Sequence, residues 1–214
     1  DMPLRAVVNL DHHLDRVLNN QWFDAPIIAS APTAARMMGY PDVFRHPSME
    51  TGADIEAVSD LAGTRIRAPQ FAFSERLTLL SGARKVHLLH TPGVNAGAAW
   101  AHLPEQQIVF VGDSLAVDYP PLLAEADTEA WLAALESLKK APFRNHRIVP
   151  GRGGVVEADS LQWLTKYLNT ARRKVGQLRE RKLNRADVSR LVPDFLEYWE
   201  VPAADRRRMS ARLQ

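Results

Sequence analysis

Cysteine is absent from the 214 residues. That excludes disulfides and thiolate metal ligands, and it says nothing about compartment. Long apolar runs are also missing: none approaches the roughly 20 residues that cross a bilayer, so no membrane contact is expected. The first ten residues, Asp1 to Leu10, carry no basic segment followed by an apolar one, so no secretory leader is read there and a cytoplasmic location is expected. Position 1 is Asp rather than Met, and the chain is expected to begin inside a longer gene product. Charge of one sign is scarce: 27 Lys and Arg stand against 25 Asp and Glu, a formal net charge of +2. The isoelectric point of 9.1 reflects abundant arginine. So small an excess does not by itself point to a nucleic-acid partner.

What is present is ordinary for a globular protein with a sizeable core: 46% hydrophobic and 24% charged residues. Strands and helices alternate. Ala6 to Leu10 and Pro26 to Ser30 read as buried strands, and Ser30 with Pro32 opens a helix through Met38. Residues 39–60, rich in Pro, Gly and Asp, read mainly as loop with one short helix. Four strands follow at Leu77 to Leu80, Val86 to Leu89, Ala98 to Ala101 and Ile108 to Val111, with turns at Ser81-Gly82 and Pro104-Glu105. Thr128 to Lys140 is an amphipathic helix, with Thr128 as N-cap and Trp131, Leu132, Leu135 and Leu138 on its apolar face. Ile148-Val149 is a last short strand. The chain from Ala158 reads as helical over 158–182, 187–200 and 203–213. The expected division is a sandwich over 1–157 and a helical extension over 158–214 packed on the same domain. No internal repeat is found.

Polar loops at strand ends are where α/β proteins place their chemistry. Here they are Asn9 to Arg16, His90 to Gly97, Val111 to Ser114 and Val149 to Gly153. In order and spacing they resemble the metallo-β-lactamase superfamily. Val7-Val8-Asn9, Leu103-Pro104-Glu105, Gly112-Asp113 and Pro150-Gly151 fall in register with its motifs, and Arg67 to Leu80 looks like its segment before the third motif. The resemblance covers nearly the whole chain and implies an α/β fold: an αββα four-layer sandwich, with the N-terminal strands that precede the first motif not in this chain.

The resemblance also implies two metal ions, usually zinc, on imidazole and carboxylate ligands. Matched residue by residue, Asp11 replaces the first His, His13 and Asp15 are kept, and Arg16 replaces the next His. Val94 replaces the His of the third motif and is followed by Asn95; Asp113 keeps the bridging Asp; Arg152 replaces the last His. Valine has no lone pair, and arginine cannot lose its proton to ligate a cation. The second metal position is therefore expected empty, with Asp15 and Asp113 as natural ion-pair partners for Arg16 and Arg152. The first position is compatible with one Zn, Mn or Fe ion on Asp11, His13 and Asp113, and His12 or His90 could add a nitrogen.

Each feature has a plain structural reading beside it. Without its flanking matches the loop from Asp11 to Arg16 would read as a solvated turn, and with them it reads as a relic of the metal loop; Pro92-Gly93 and Pro150-Gly151 are ordinary turn formers in any protein. Trp22, Trp100, Trp131, Trp163 and Trp199 are expected to pack in the core or against helices. The basic residues Arg172, Arg173, Lys174, Arg179, Arg181, Lys182 and Arg185 read as a solvated helix face. Three functions follow. The favoured one is a protein that lacks two-zinc hydrolysis and serves binding or assembly. The second is a hydrolase of ester, thioester, amide or phosphoester bonds on one residual metal, with Asp15 and Asp113 as catalytic carboxylates. The third, least favoured, is nucleic-acid binding through the basic helices. Arg16, Asn95 and Arg152 are the candidate contacts for a small anionic ligand. Another chain, either a fragment of the same gene product or a second copy, is expected to cover the incomplete sheet.

Overall fold

The computed structural model describes residues 3–40, 64–117, 120–182, 191, 193 and 195. The expected loop over 41–60, most of the helix expected at 187–200, the helix expected at 203–213, and Arg185 and Trp199 lie outside the described residues. In chain order the elements are β1 Val7–Asn9, α1 Leu14–Val17, β2 Ile27–Ser30, α2 Ala31–Met38, β3 Phe71–Phe73, β4 Arg76–Ser81, β5 Arg84–His90, β6 Ala99–Leu103, β7 Ile108–Ala116, α3 Thr128–Leu138, β8 Arg147–Arg152 and α4 Gln162–Glu180.

The strands form two sheets. One is parallel, in the order β1-β2-β3, and the other runs β4-β5-β6-β7-β8. Every residue of β2 is buried, as a central parallel strand covered on both faces requires. In the larger sheet β4 to β7 are antiparallel neighbours, and β8 joins β7 in parallel. The β4–β5 hairpin closes through Gly82 and Ala83, and Gly82 takes φ +62, which a tight hairpin turn demands. β4 is an edge strand in which Leu77 and Leu79 turn inward and Leu80 turns to solvent.

Ile28, Phe73, Leu88 and Ala99 pack the two sheets against each other. A larger core on the opposite face of the five-stranded sheet joins Trp100, Val109, Val111 and Ile148 to Trp131, Leu135 and Leu138 of α3 and to Leu164, Tyr167, Leu168 and Ala171 of α4. The spacing of the α4 residues is the stripe of an amphipathic helix. α2 lies against β2 and β3, with Thr33, Ala34 and Met37 buried, so the layers are helix, sheet, sheet, helix.

Two local readings are corrected, and one strand is added. The N-cap of α3 is Asp127, not Thr128: its carboxylate accepts from the N–H groups of Glu129 and Ala130, both at 3.0 Å. β3 arises from Phe-Ala-Phe, too short a run for a periodicity signal, and it exists because β2 offers it a parallel edge. Trp22 is 78% exposed rather than packed, whereas Trp100 and Trp131 are fully buried and Trp163 is partly so. On α4, Arg172, Arg173 and Arg179 face solvent.

Candidate metal centre

β1 delivers the chain to Asp11, α1 starts immediately after His13, β7 carries Asp113, and β8 ends at Gly151-Arg152. Three of these ends meet at one point. Asp11, His13 and Asp113 each offer a ligand atom, and those atoms lie within 4.8 Å of one another. Asp11 caps its own loop by accepting the backbone N–H of His13 at 3.0 Å. His13 Nδ1 lies 3.4 Å from Asp11 Oδ2 and 3.4 Å from Asp113 Oδ2. Those are ion-pair separations, but neither ring nitrogen is in hydrogen-bond geometry with any described group.

β7 presents Asp113 through an irregularity. Its register with β8 shifts on either side of Gly112, which has φ +54. Gly151 is required for the close approach of β8: a Cβ there would overlap Asp113 Oδ1 and sit 2.8 Å from the Gly112 carbonyl carbon. The guanidinium of Arg16 pairs with Asp113 Oδ1 and donates to the Gly151 carbonyl at 3.2 Å. Arg152 pairs with Asp15. Each arginine that replaces a histidine of the resembled motifs thus holds a carboxylate.

The electrostatics follow from burial and neighbours. Burial by itself lowers the His13 pKa, but the facing carboxylates Asp11 and Asp113 outweigh it and hold the imidazole at about 10. Burial pushes the Asp113 carboxyl up, yet His13 and Arg16 pull it further the other way, to about 2. Asp113 is thus an anion between two cations.

The remaining candidates are not brought to this cluster. His12 is buried, with Nε2 3.0 Å from Glu125 and Nδ1 3.2 Å from the Tyr40 hydroxyl, which donates to the His12 carbonyl at 3.1 Å. Its ring anchors the loop from the far side. His90 Nε2 lies 2.8 Å from the Ala96 carbonyl of its own loop. Val94 joins the large core. Asn95 is buried, and its Oδ1 accepts from Gly97 N–H at 2.9 Å within the loop. The sequence reading missed the Glu125–His12–Tyr40 anchor. No local spacing signals it, because Glu125 and His12 are neighbours only in the folded chain.

No protein-family model matches the sequence, and no curated protein is similar to it. Solved structures are. A metallo-beta-lactamase from Pontibacter korlensis is 21% identical, with 78% of this chain and 70% of that chain covered and a TM-score of 0.54. This chain has the metallo-β-lactamase fold. An archaeal metallo-beta-lactamase superfamily protein from Sulfolobus tokodaii agrees with it at TM-score 0.55 and 14% identity, over 77% of this chain and 67% of that one. TTHA1623, solved in a di-iron-bound form, is 24% identical at TM-score 0.53, over 73% of this chain and 74% of that one. Among the described residues no helix is long and apolar enough to cross a membrane.

Proposed function

We propose that this metallo-β-lactamase-fold chain lacks a two-metal centre and works by binding or assembly. The observation that carries this reading is the pair of internal ion bridges, Arg16 with Asp113 and Arg152 with Asp15. A guanidinium neutralises each carboxylate where a second divalent ion would have to sit, and a fixed positive charge repels such an ion.

A second reading rests on a different observation. The donor set Asp11, His13 and Asp113 fits a single ion: one imidazole and two carboxylates converge, and both buried nitrogens of His13 lack a hydrogen-bond partner. The chemistry a divalent ion supplies there is Lewis-acid activation of water, which would make the chain a one-metal hydrolase. Asp11, His13 and Asp113 would hold that ion, with Asp113 Oδ2 turned to it while Arg16 stays on Oδ1 and orients an anionic substrate. Elemental analysis of the purified chain, before and after equilibration with Zn, Mn or Fe and desalting, separates the readings. Metal-free protein supports the first, and one ion per chain moves the assignment to the second. Two ions per chain would sink both.

The assembly side of the proposal concerns β1. Among the described residues only β2 pairs with it, so its other edge is open. Val8, Leu10, Phe110, Val149 and Pro150 of β1, β7 and β8 and the segment after β1 line the apolar part of a cleft of about 250 Å³ whose polar part is Asp11, Arg16 and Asp113. An open strand edge with apolar neighbours is a template for another strand. A second polypeptide, a fragment of the same gene product or another copy, is the occupant that fits. Sedimentation of the purified chain should give a mass above the 23.9 kDa monomer or show a co-purifying fragment; a clean monomer would argue against it.

A further inference from the structure

A row of imidazoles crosses the helix-facing side of the five-stranded sheet at the end remote from Asp113. Register sets His87 of β5 beside His102 of β6, and the ring of His146, just before β8, lies next in line. The ring centroids are 5.8 Å apart for His87 and His102 and 4.9 Å for His102 and His146. Phe143 meets the rings of His102, His146 and Trp100 edge-on. The turn is closed by the Phe143 carbonyl, which accepts from His146 N–H at 2.8 Å. Phe143 and His146 thereby dock the segment between α3 and β8 onto β6.

One polar bond fastens this contact: His102 Nε2 and His146 Nε2 are 2.9 Å apart, and both residues are only 6% exposed. A bond between two imidazoles needs a proton on one nitrogen and a lone pair on the other. His146 Nδ1 is buried with no partner. The arrangement that buries no orphaned N–H has His146 donating through Nε2 and His102 accepting. A proton added to His102 Nε2 then faces the His146 N–H. A tautomer swap at His146 relieves that clash only by placing an N–H at Nδ1, where no acceptor exists. The bond therefore tolerates neither ring as an imidazolium.

The neighbours do not offset such a charge. Arg76 Nη2 lies 3.0 Å from His87 Nδ1, and a guanidinium only donates, so His87 accepts there. Lys85 follows on the same face of β5, and Arg144 and Arg147 flank His146. The acids on this side are Glu105, Glu157 and Asp159, all exposed. Among the described residues none of them forms an ion pair with His87, His102 or His146. Burial lowers the pKa of both His102 and His146, and His146, His87 and Arg76 lower that of His102 further.

We propose that the His102–His146 bond is an acid-sensitive latch: it fastens the turn between α3 and β8 to β6 while both rings are uncharged, and protonation of either ring releases the turn. An imidazole free of the fold titrates at about 6.5. The folded pair titrates lower, so the released form takes up protons first as the pH falls. The latch is at full strength above about pH 6.5 and weakens as the pH drops from there toward the folded value. Release withdraws Phe143 from Trp100 and opens the large core at this end. The device is independent of whether Asp11, His13 and Asp113 hold an ion.

The test is amide hydrogen exchange of the full chain at about pH 7.5, 6.5 and 5.5, corrected for the intrinsic pH dependence of exchange. The amides to read are His146, bonded to Phe143, and Arg147, bonded to the Gln107 carbonyl. Their exchange should rise by up to about tenfold per pH unit below about pH 6.5, as uptake of one proton on opening requires. The Val7 amide, bonded to Pro26 in the other sheet, should show no such rise. His102→Gln and His146→Gln keep a hydrogen-bonding side chain that does not titrate, and each should flatten the response. In the parent chain the His102 and His146 ring resonances should hold their neutral positions until the turn amides begin to exchange. Turn exchange independent of pH would overturn the proposal. So would a response unchanged in both variants, or a ring found protonated while the turn stays protected.

Discussion

Arg16→Ala should lower stability by about 2–3 kcal/mol, read as a fall of roughly 5–10 °C in melting temperature. Asp113 is only 8% exposed and is held as an anion, so removing Arg16 leaves a buried charge with His13 as its remaining cation. Breaking a buried pair from one side costs more than the pair contributes, because the orphaned ion keeps its desolvation penalty. The surviving His13 contact, and the partial exposure of Arg16, keep the loss below the range for a fully buried pair. Arg16→Ala combined with Asp113→Asn should recover part of it, since the uncompensated charge is gone; a strictly additive double variant would show that the two side chains are not coupled. The same substitution has a second consequence. With the guanidinium removed, zinc should raise the melting temperature of Arg16→Ala more than that of the parent chain. Equal zinc effects on both would contradict the reading that Arg16 stands in for an ion.

Trp131→Ala should be the most damaging single change, at about 3–5 kcal/mol, with a fall in melting temperature of roughly 6–20 °C. Trp131 is fully buried at the centre of the large core, and its indole N–H donates to the Ser114 carbonyl at 2.9 Å, next to Asp113. Its backbone also sits under the third loop, where a Cβ on Gly93 would come within 2.7 Å of Trp131 Cα. Truncation opens a cavity and strands a buried carbonyl at once. Trp131→Phe keeps most of the apolar volume and should cost only about 1–2 kcal/mol, mainly through the lost hydrogen bond. Urea unfolding of the two variants separates the contributions. A Phe variant as unstable as the Ala variant would show that the hydrogen bond, not the volume, dominates.

Much of this architecture is readable before folding. The strands from β4 to β8, together with α2 and α3, are marked by short apolar runs, by turn residues such as Gly82, and by the apolar spacing of Trp131, Leu135 and Leu138. Each is a local signal, spanning fewer residues than one element. β3 and the exposure of Trp22 are not readable, because both depend on which neighbour the fold supplies. The α3 N-cap is missed by one residue because Asp127 and Thr128 are both good caps, and only backbone direction chooses between them.

The site divides along the same line. Sequence alone determines that positions 16 and 152 carry permanent cations and position 94 an inert side chain, because those are properties of arginine and valine in any fold. Only the tertiary structure decides which carboxylate each arginine takes, that Asp11, His13 and Asp113 converge, and that His12 turns away to Glu125. Arg16 and Asp113 stand 97 residues apart, and Arg152 and Asp15 stand 137 apart. Pairs so distant are set by how two sheets pack, and no periodicity within a single element encodes that.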